Sequence, residues 1–480
     1  MPHPGGRRNP ASTGTTSCYH CRMSRADAEV EASALDEHGA GVAQVAGVTW
    51  HVADLLPGER AEVARDHQSP HRAEAWGHVV QRLGPAAPDR VAPACPRTGR
   101  CGGCTWQHLA YPAQLIHKQR RVEAALAAVP ALATGQVRVA PVVASPRQLG
   151  YRNKGKYVIG HTGADRRGAG GERIVLGAFA PRTHQVVDTL GCRVVAPILD
   201  EVATWARAAI ERSGAAPYDE RTGEGELRYL VVRASGDDDV LAALIVTSRT
   251  SRATLDAIAQ GLVRHPALRG LVVVRNDRRD GAILPAGSPA IVLHGVGAIV
   301  ETLFGARVEV GAGEFVQVNR DQAQAMYRRV VELAEVGPGA RALDLYAGLG
   351  GIGLGLARAG AEVVAIEVDP DAVAALGRAA RAAGLSVTAE VGDAAGAVRH
   401  GPVDVVVVNP PRKGLGEDTR RALVALAPAR ILYVSCGPES LGRDLVALAA
   451  AGYQADVIEP FDLMPGTGQV ETVVRLRRAP

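Results

Sequence analysis

The run Ala340-Arg-Ala-Leu-Asp-Leu-Tyr-Ala-Gly-Leu-Gly-Gly-Ile-Gly353 decides the fold, because a short apolar strand ending at Tyr346 gives way to closely spaced glycines and then to a helix. Glycine lets the backbone approach a bound nucleotide, and a helix start offers unpaired N–H groups. Glu367 ends the next apolar run, about 20 residues on, where a carboxylate can accept both ribose hydroxyls. Further apolar runs end at Val391, Val408 and Val434, with Ala/Leu/Arg-rich stretches between them. That alternation predicts an α/β, doubly wound, Rossmann-like parallel sheet. A last pair, Tyr453 to Ile458 and Val470 to Leu476, is expected to close the sheet as a hairpin whose final strand starts near the ligand-binding rim.

Strand, glycines (Gly348, Gly350), helix and acid occur in the order that nucleotide binding needs. Asp393, after the third strand in Val391-Gly-Asp, is placed to reach an adenine ring. The fourth strand ends in Asn409-Pro-Pro-Arg412, where two prolines fix the backbone and present the Asn409 side chain in one geometry. The fifth ends in Ile431-Leu-Tyr-Val-Ser-Cys-Gly-Pro438. Its Gly-Pro break exposes the Cys436 thiol at a carboxyl end, outside which ligands of open parallel sheets bind. A free cysteine is otherwise among the most buried of residues, so neither the position nor the thiol alone establishes a nucleophile.

Upstream, 480 residues leave room for two to four domains. Residues 1–30 are Pro/Gly/Ser/Thr-rich, carry Cys18 and Cys21, and are expected to be a disordered extension. Residues 31–85 alternate short apolar runs with turn signals, as a small nucleic-acid-binding β-barrel would, although aromatic interleaving is lacking. A domain over 86–315 follows, and the nucleotide-binding domain spans 316–480. Cys95, Cys101 and Cys104 stand in a C-x5-C-x2-C pattern, with Cys192 as the distant remainder. Four thiolates suit either an iron-sulfur cluster or structural zinc, and spacing does not choose between them. From His108 to about Val129 a helix carrying Lys118, Arg120 and Arg121 is predicted. Tyr151-Arg-Asn-Lys-Gly-Lys-Tyr157 and Arg228-Tyr-Leu-Val-Val-Arg233 mix cations and aromatics at strand alternation; a solvated strand face and an RNA-holding face both produce that pattern.

The balance of 54 basic against 50 acidic residues permits a polyanionic partner without announcing one. No apolar run approaches the roughly 20 residues of a membrane span, and no signal-peptide stretch opens the chain, so a cytoplasmic protein without membrane partners is expected.

These motifs, with Trp106-Gln-His108, Gln114-Leu-Ile-His-Lys118, Phe315-Val-Gln-Val-Asn319 and Gln469-Val-Glu-Thr472, give a chain that resembles the RNA (uracil-5-)-methyltransferase family, specifically its iron-sulfur branch that modifies 23S ribosomal RNA. The resemblance covers roughly residues 31–478. It implies an N-terminal TRAM barrel, a central RNA-binding domain holding a [4Fe–4S] cluster, and a C-terminal S-adenosylmethionine-dependent methyltransferase domain on which the helix at 108–129 packs. By the same resemblance Cys192 is the fourth cluster ligand beside Cys95, Cys101 and Cys104, Cys436 is the nucleophile and Glu471 the base. Gln317, Tyr346, Gly348, Gly350, Glu367, Asp393 and Asn409 are expected around the cofactor, and the chain is expected to act as a monomer. Uracil C5 is a poor nucleophile, but a thiolate adding at C6 makes an enolate that can attack a sulfonium methyl. The target uridine must leave its stack to be reached. Two residues depart from the family pattern: Asn409 stands where Asp is usual, and Gly351 where some members carry Asn. Methylation of tRNA, or a non-catalytic RNA-binding role on the same fold, are the competing readings.

Overall fold

The computed structural model describes residues 26–161, 173–181, 183–285 and 287–478. Cys18, Cys21 and most of the expected extension lie outside the described residues. The extension is nevertheless shorter than expected. Strand β1 (Ala28–Glu31) already pairs with Arg60–Val63, and its alternation turns Val30 into a core. Four residues next to a long polar opening were too short a run to read as a strand.

Two compact units divide the chain, one ending at Ala87 and the other holding Glu37–Gly39 and everything from Pro88 onward. The first is a six-stranded sheet of β1, β2 (Ala34–Leu35), β3 (Gly41–Val45), β4 (Val48–Ala53), β5 (Arg60–Gln68) and β6 (Glu74–Leu83), in the order β1-β5-β6-β4-β3-β2. Its interior is small, with Trp50, Val52, Leu55 and Val63 at the centre. The aromatic interleaving that the linear sequence hides appears across strands. His51 stacks on Trp76 with ring centroids 5.2 Å apart, and His67 lies on the same ring at 5.6 Å.

The second unit contains two seven-stranded sheets. The first comprises β7 (Lys154–His161), β8 (Ile174–Phe179), β9 (Val186–Asp188), β10 (Leu227–Ala234), β11 (Val240–Val246), β12 (Leu268–Arg275) and β13 (Ala290–Gly295), ordered β13-β12-β11-β10-β7-β8-β9. The helices Pro197–Ser213 and Arg252–Leu262 bury their apolar faces against it. Neither sequence reading of the cationic-aromatic strands holds for this sheet. Tyr151, Tyr157, Arg228, Tyr229 and Arg233 are all buried. Arg228 is swallowed because its guanidinium finds partners in the loops, donating to the carbonyls of Asn276 at 2.9 Å and Arg278 at 2.7 Å and to Glu220 at 2.7 Å. Of the first motif, Lys156 stays exposed, while Arg152 and Lys154 are partly covered.

A hairpin of β14 (Ile299–Leu303) and β15 (Ala306–Val310) precedes the second sheet. This sheet is built of β16 (Arg341–Leu345), β17 (Glu362–Glu367), β18 (Val387–Val391), β19 (Val405–Val408), β20 (Arg430–Ser435), β21 (Tyr453–Phe461) and β22 (Glu471–Arg478). Its order is β18-β17-β16-β19-β20-β22-β21, with β22 the antiparallel member, wedged between β20 and β21. The order reverses between β16 and β19, the switch point at which such sheets bind ligands. Valine fills the central strands because both faces are covered. The helix Tyr111–Ala125 joins this layer, sending Val122, followed by Leu126, into the core of Leu343, Val406 and Ile431. Among the described residues, no helix is long and apolar enough to cross a membrane.

Candidate active site

The turn after β16 is built for close approach. Tyr346, Gly348 and Gly350 all take positive φ, at 60°, 53° and 79°. A Cβ on Gly350 would stand 2.2 Å from Leu376 Cδ1, so any side chain here must displace Leu376 and take a strained positive φ. Glu367 holds the turn from the next strand: its Oε2 accepts from the Gly348 amide at 2.9 Å, and its Oε1 from Val368 at 2.7 Å and Asp369 at 3.1 Å. Three backbone amides therefore fix the carboxylate at the rim. Asp344 is buried beneath and accepts from the Gly353 amide at 2.8 Å. Burial pushes its pKa up to about 7 against that hydrogen bond.

Gly351 now has a physical reason. A Cβ there would lie 2.7 Å from Cε2 of Tyr327, whose ring fills the place a longer side chain would need. Tyr327 was not singled out by sequence reasoning. It sits on the helix Arg320–Ala334, and its hydroxyl is held neutral by burial and by the carboxylates of Glu471 and Asp344. Tyr346 points its hydroxyl to Thr419 at 3.2 Å. Asp393 caps the 3-10 turn Ala394–His400 through Ala395 at 2.8 Å, so one of its oxygens has a local task. Asn409, partly buried, follows β19 with its amide 3.3 Å from the Leu345 carbonyl. Gln317 is buried, and its carbonyl accepts from Asn153 at 3.2 Å. Two residues earlier Phe315 is 71% exposed, an aromatic face that composition gave no reason to expect.

Cys436 and Glu471 meet through strand register. Ser435 of β20 pairs with Thr472 of β22, so the next residue of one strand and the preceding residue of the other face each other across the rim. Cys436 is partly exposed. Its pKa is raised first by burial and next by the Glu471 carboxylate, while the Arg412 guanidinium, which also hydrogen-bonds it, pulls it back. Burial lifts Glu471 to about 7, again with Arg412 opposing. Arg412 is the second residue that sequence reasoning left without a role, although it stood in the quoted Asn-Pro-Pro-Arg run. It donates to Gln469 Oε1 at 2.6 Å and so bridges the strands' two loops.

Cys95, Cys101, Cys104 and Cys192 line a single cavity of about 220 Å³, together with Arg152, Lys154 and Lys156. All four are free thiols. Cys104 is pushed up to about 11 first by burial and then by the neighbouring Cys192 and Cys101 side chains. Among the described residues, no group of three or more His, Cys, Asp or Glu side chains is drawn together as one metal ion requires.

Residues 307–431 match the methyltransferase small domain family, and residues 399–479 match the tRNA (uracil-5-)-methyltransferase family. An uncharacterized RNA methyltransferase of Halalkalibacterium halodurans is 31% identical, over 93% of this chain and 96% of its own. One from Geobacter sulfurreducens is 33% identical, over 93% and 89%. Among solved structures, the Pyrococcus abyssi tRNA (uracil-54, C5)-methyltransferase in complex with S-adenosyl-L-homocysteine superposes with a TM-score of 0.74 at 25% identity, over 93% of this chain and 99% of that one. Likeness to RNA methyltransferases runs nearly end to end, and the uracil-5 match falls on the segment that carries both Cys436 and Glu471, so the chain belongs to the RNA (uracil-5-)-methyltransferase family.

Proposed function

We propose that this S-adenosylmethionine-dependent RNA methyltransferase methylates C5 of a uridine in 23S ribosomal RNA by covalent catalysis through Cys436. The observation that carries the mechanism is the Ser435–Thr472 register, which sets the thiol beside the Glu471 carboxylate at the cofactor rim. When bound, S-adenosylmethionine supplies an electrophilic methyl group. The left-handed turn at Gly348 and Gly350 with Glu367 beneath it fits the nucleoside part, and Gln317, Tyr346, Asp393 and Asn409 complete the proposed contacts. Phe315 offers its exposed face to the extruded base.

Cys436, partly exposed, gives its proton to solvent, and its sulfur bonds to uracil C6 as the C5=C6 electron pair moves out into the enolate. The C5 carbon of that enolate takes the methyl group from the sulfonium, breaking its S–CH3 bond and leaving S-adenosylhomocysteine. Glu471 in its carboxylate form then removes the C5 proton; that electron pair re-forms the C5=C6 bond and expels the thiolate. A carboxyl poised at about 7 is matched to such a transfer near neutral pH. Arg412 steadies both partners and keeps Gln469 in place.

Cys95, Cys101, Cys104 and Cys192 would hold a [4Fe–4S] cluster. The fit rests on four thiols lining one cavity beside Arg152, Lys154 and Lys156. The cluster has a structural part here and enters no step. This cysteine set favours ribosomal over transfer RNA, because the resemblance to the 23S-modifying branch rests on it. Transfer RNA is the second reading, favoured by the solved neighbour, whose substrate is tRNA. The N-terminal sheet, with His51, Trp76 and His67 aligned across strands, is proposed as a TRAM-type RNA-binding module.

Mass-spectrometric mapping of 5-methyluridine in rRNA and tRNA from cells with and without the gene decides the substrate. A covalent adduct with 5-fluorouridine RNA, absent in Cys436→Ala, is the expected chemical signature. Methyl transfer that survives Cys436→Ala would refute the mechanism.

A further inference from the structure

The loop between β21 and β22 delivers Glu471 and Gln469, yet it is held largely from outside its own sheet. Lys118 donates to Asp462 at 2.5 Å and to the Met464 carbonyl at 3.2 Å, with both charged side chains fully buried. Tyr151 donates to the Pro465 carbonyl at 3.1 Å, and Asn319 to that of Leu463 at 3.2 Å. At the centre is a closed ring of hydrogen bonds. The Trp106 amide donates to the Gly466 carbonyl at 2.9 Å, the Gly466 amide to Gln114 Oε1 at 2.8 Å, and Gln114 Nε2 back to the Trp106 carbonyl at 3.1 Å. A second bond, from Gln114 Nε2 to the Leu109 carbonyl at 2.8 Å, anchors the amide in the cysteine-bearing segment. Both functions of one buried side-chain amide are thus used to fasten that segment to a loop five residues from Glu471.

Gly466 has φ at +78°, and a Cβ there would stand 3.4 Å from Gln107 Cγ and 3.8 Å from Cys104 Cβ. The cysteine segment is therefore the surface on which the loop rests. We propose that Gln114 is a positioning residue for proton abstraction: through Gly466 it sets where Glu471 stands against the C5 proton of the methylated adduct. The proposal rests on the reading of Glu471 as the base. It separates two halves of the reaction. Addition of Cys436 to C6 and methyl transfer to C5 use the β20 end and the glycine turn, which Gln114 reaches only at one remove, through Gln469 and its bond to Arg412. Transfer of the C5 proton to Glu471, with re-formation of C5=C6 and release of the sulfur, needs the loop.

The test uses the full-length protein with its cysteine site loaded, an rRNA transcript that the wild type methylates, and S-adenosylmethionine. In Gln114→Ala a stoichiometric burst of S-adenosylhomocysteine is expected at near wild-type rate. Turnover should then fall about 100-fold, the scale of a misplacement of about 1 Å, and a methylated protein–RNA adduct should build up on a denaturing gel. Gly466→Ala, which strains the same loop at its positive φ while keeping the Gln114 side chain, should give the same pattern. Hydrogen exchange of peptides from 462–470 should quicken in both variants, independently of activity. Wild-type turnover without adduct in both, or loss of burst and adduct together in folded protein, would overturn the proposal. Glu471→Gln distinguishes the premise: if it traps no adduct, the base assignment itself fails.

Discussion

Replacing Glu471 with Gln should cut turnover sharply and, above neutral pH, make the protein more stable. The carboxyl titrates at about 7 in the fold against 4.5 when unperturbed, because burial disfavours its charge. At about 1.4 kcal/mol per unit the shift is worth about 3 kcal/mol, and partial solvent contact at the rim trims this to about 2. The sign follows from proton binding. Between 4.5 and about 7 the folded protein holds this proton and the unfolded chain does not, so stability falls as pH rises; above about 7 the full cost of a buried charge is present. A neutral amide has no such dependence. Asp344, shifted in the same direction, is present in both proteins and cancels from the difference. Urea midpoints at about pH 4.5, 6 and 8 should show a stability gain growing from near zero to about 2 kcal/mol, while turnover drops by about 10²–10⁴. Wild-type turnover should climb through about pH 7 as the base ionises. A Gln variant no more stable than wild type at about pH 8, or one with the same gain at about pH 4.5, would refute the claim that burial has tuned this carboxylate.

Lys118→Met strands the buried Asp462 charge and should cost about 3–5 kcal/mol by chemical denaturation, whereas Lys118→Met with Asp462→Leu should recover most of it. Cys101→Ser should lose RNA binding or stability while S-adenosylmethionine affinity survives in calorimetry; unchanged folding and RNA affinity would remove the cysteine site from the account. Gly350→Ala forces a side chain onto Leu376 at positive φ, and should cost about 1–3 kcal/mol together with cofactor affinity, read by thermal shift with and without ligand. Asn409→Asp restores a carboxylate near the proposed sulfonium and should tighten S-adenosylmethionine about fivefold, about 1 kcal/mol, while leaving S-adenosylhomocysteine unmoved.

What the linear sequence disclosed was what lies within about 30 residues of chain, the reach of a strand-turn-helix pattern. The glycine turn, Glu367, Asn409 and Cys436 announce themselves because each ends a strand whose periodicity is local. Contacts between distant residues did not. Lys118 meets Asp462 across 344 residues, Arg412 meets Gln469 across 57, and Tyr327 occupies the space at Gly351 from a different helix. Arg228 was misread for a related reason. A cation at strand alternation reads as exposed unless its partners are known, and here they are loop carbonyls about 50 residues downstream together with Glu220.

The hairpin at the end of the chain marks the same boundary. Its existence was legible, as was the start of its last strand near the rim; which of its strands lies against β20 was not. That choice decides the chemistry. With β22 inside, Glu471 begins the strand adjacent to the one that ends in Cys436, about 5 Å away in the pairing direction. With β21 inside, the same residue would start one strand farther out, about 10 Å from the thiol-bearing strand, too far to take a proton from a ring bonded to that sulfur. The proposed catalytic pair is thus a property of strand order. It depends on the loop before β22 being held while the hairpin turns back between β20 and β21, a task for the buried Lys118–Asp462 pair and the Gln114 ring on a helix more than 300 residues away in sequence.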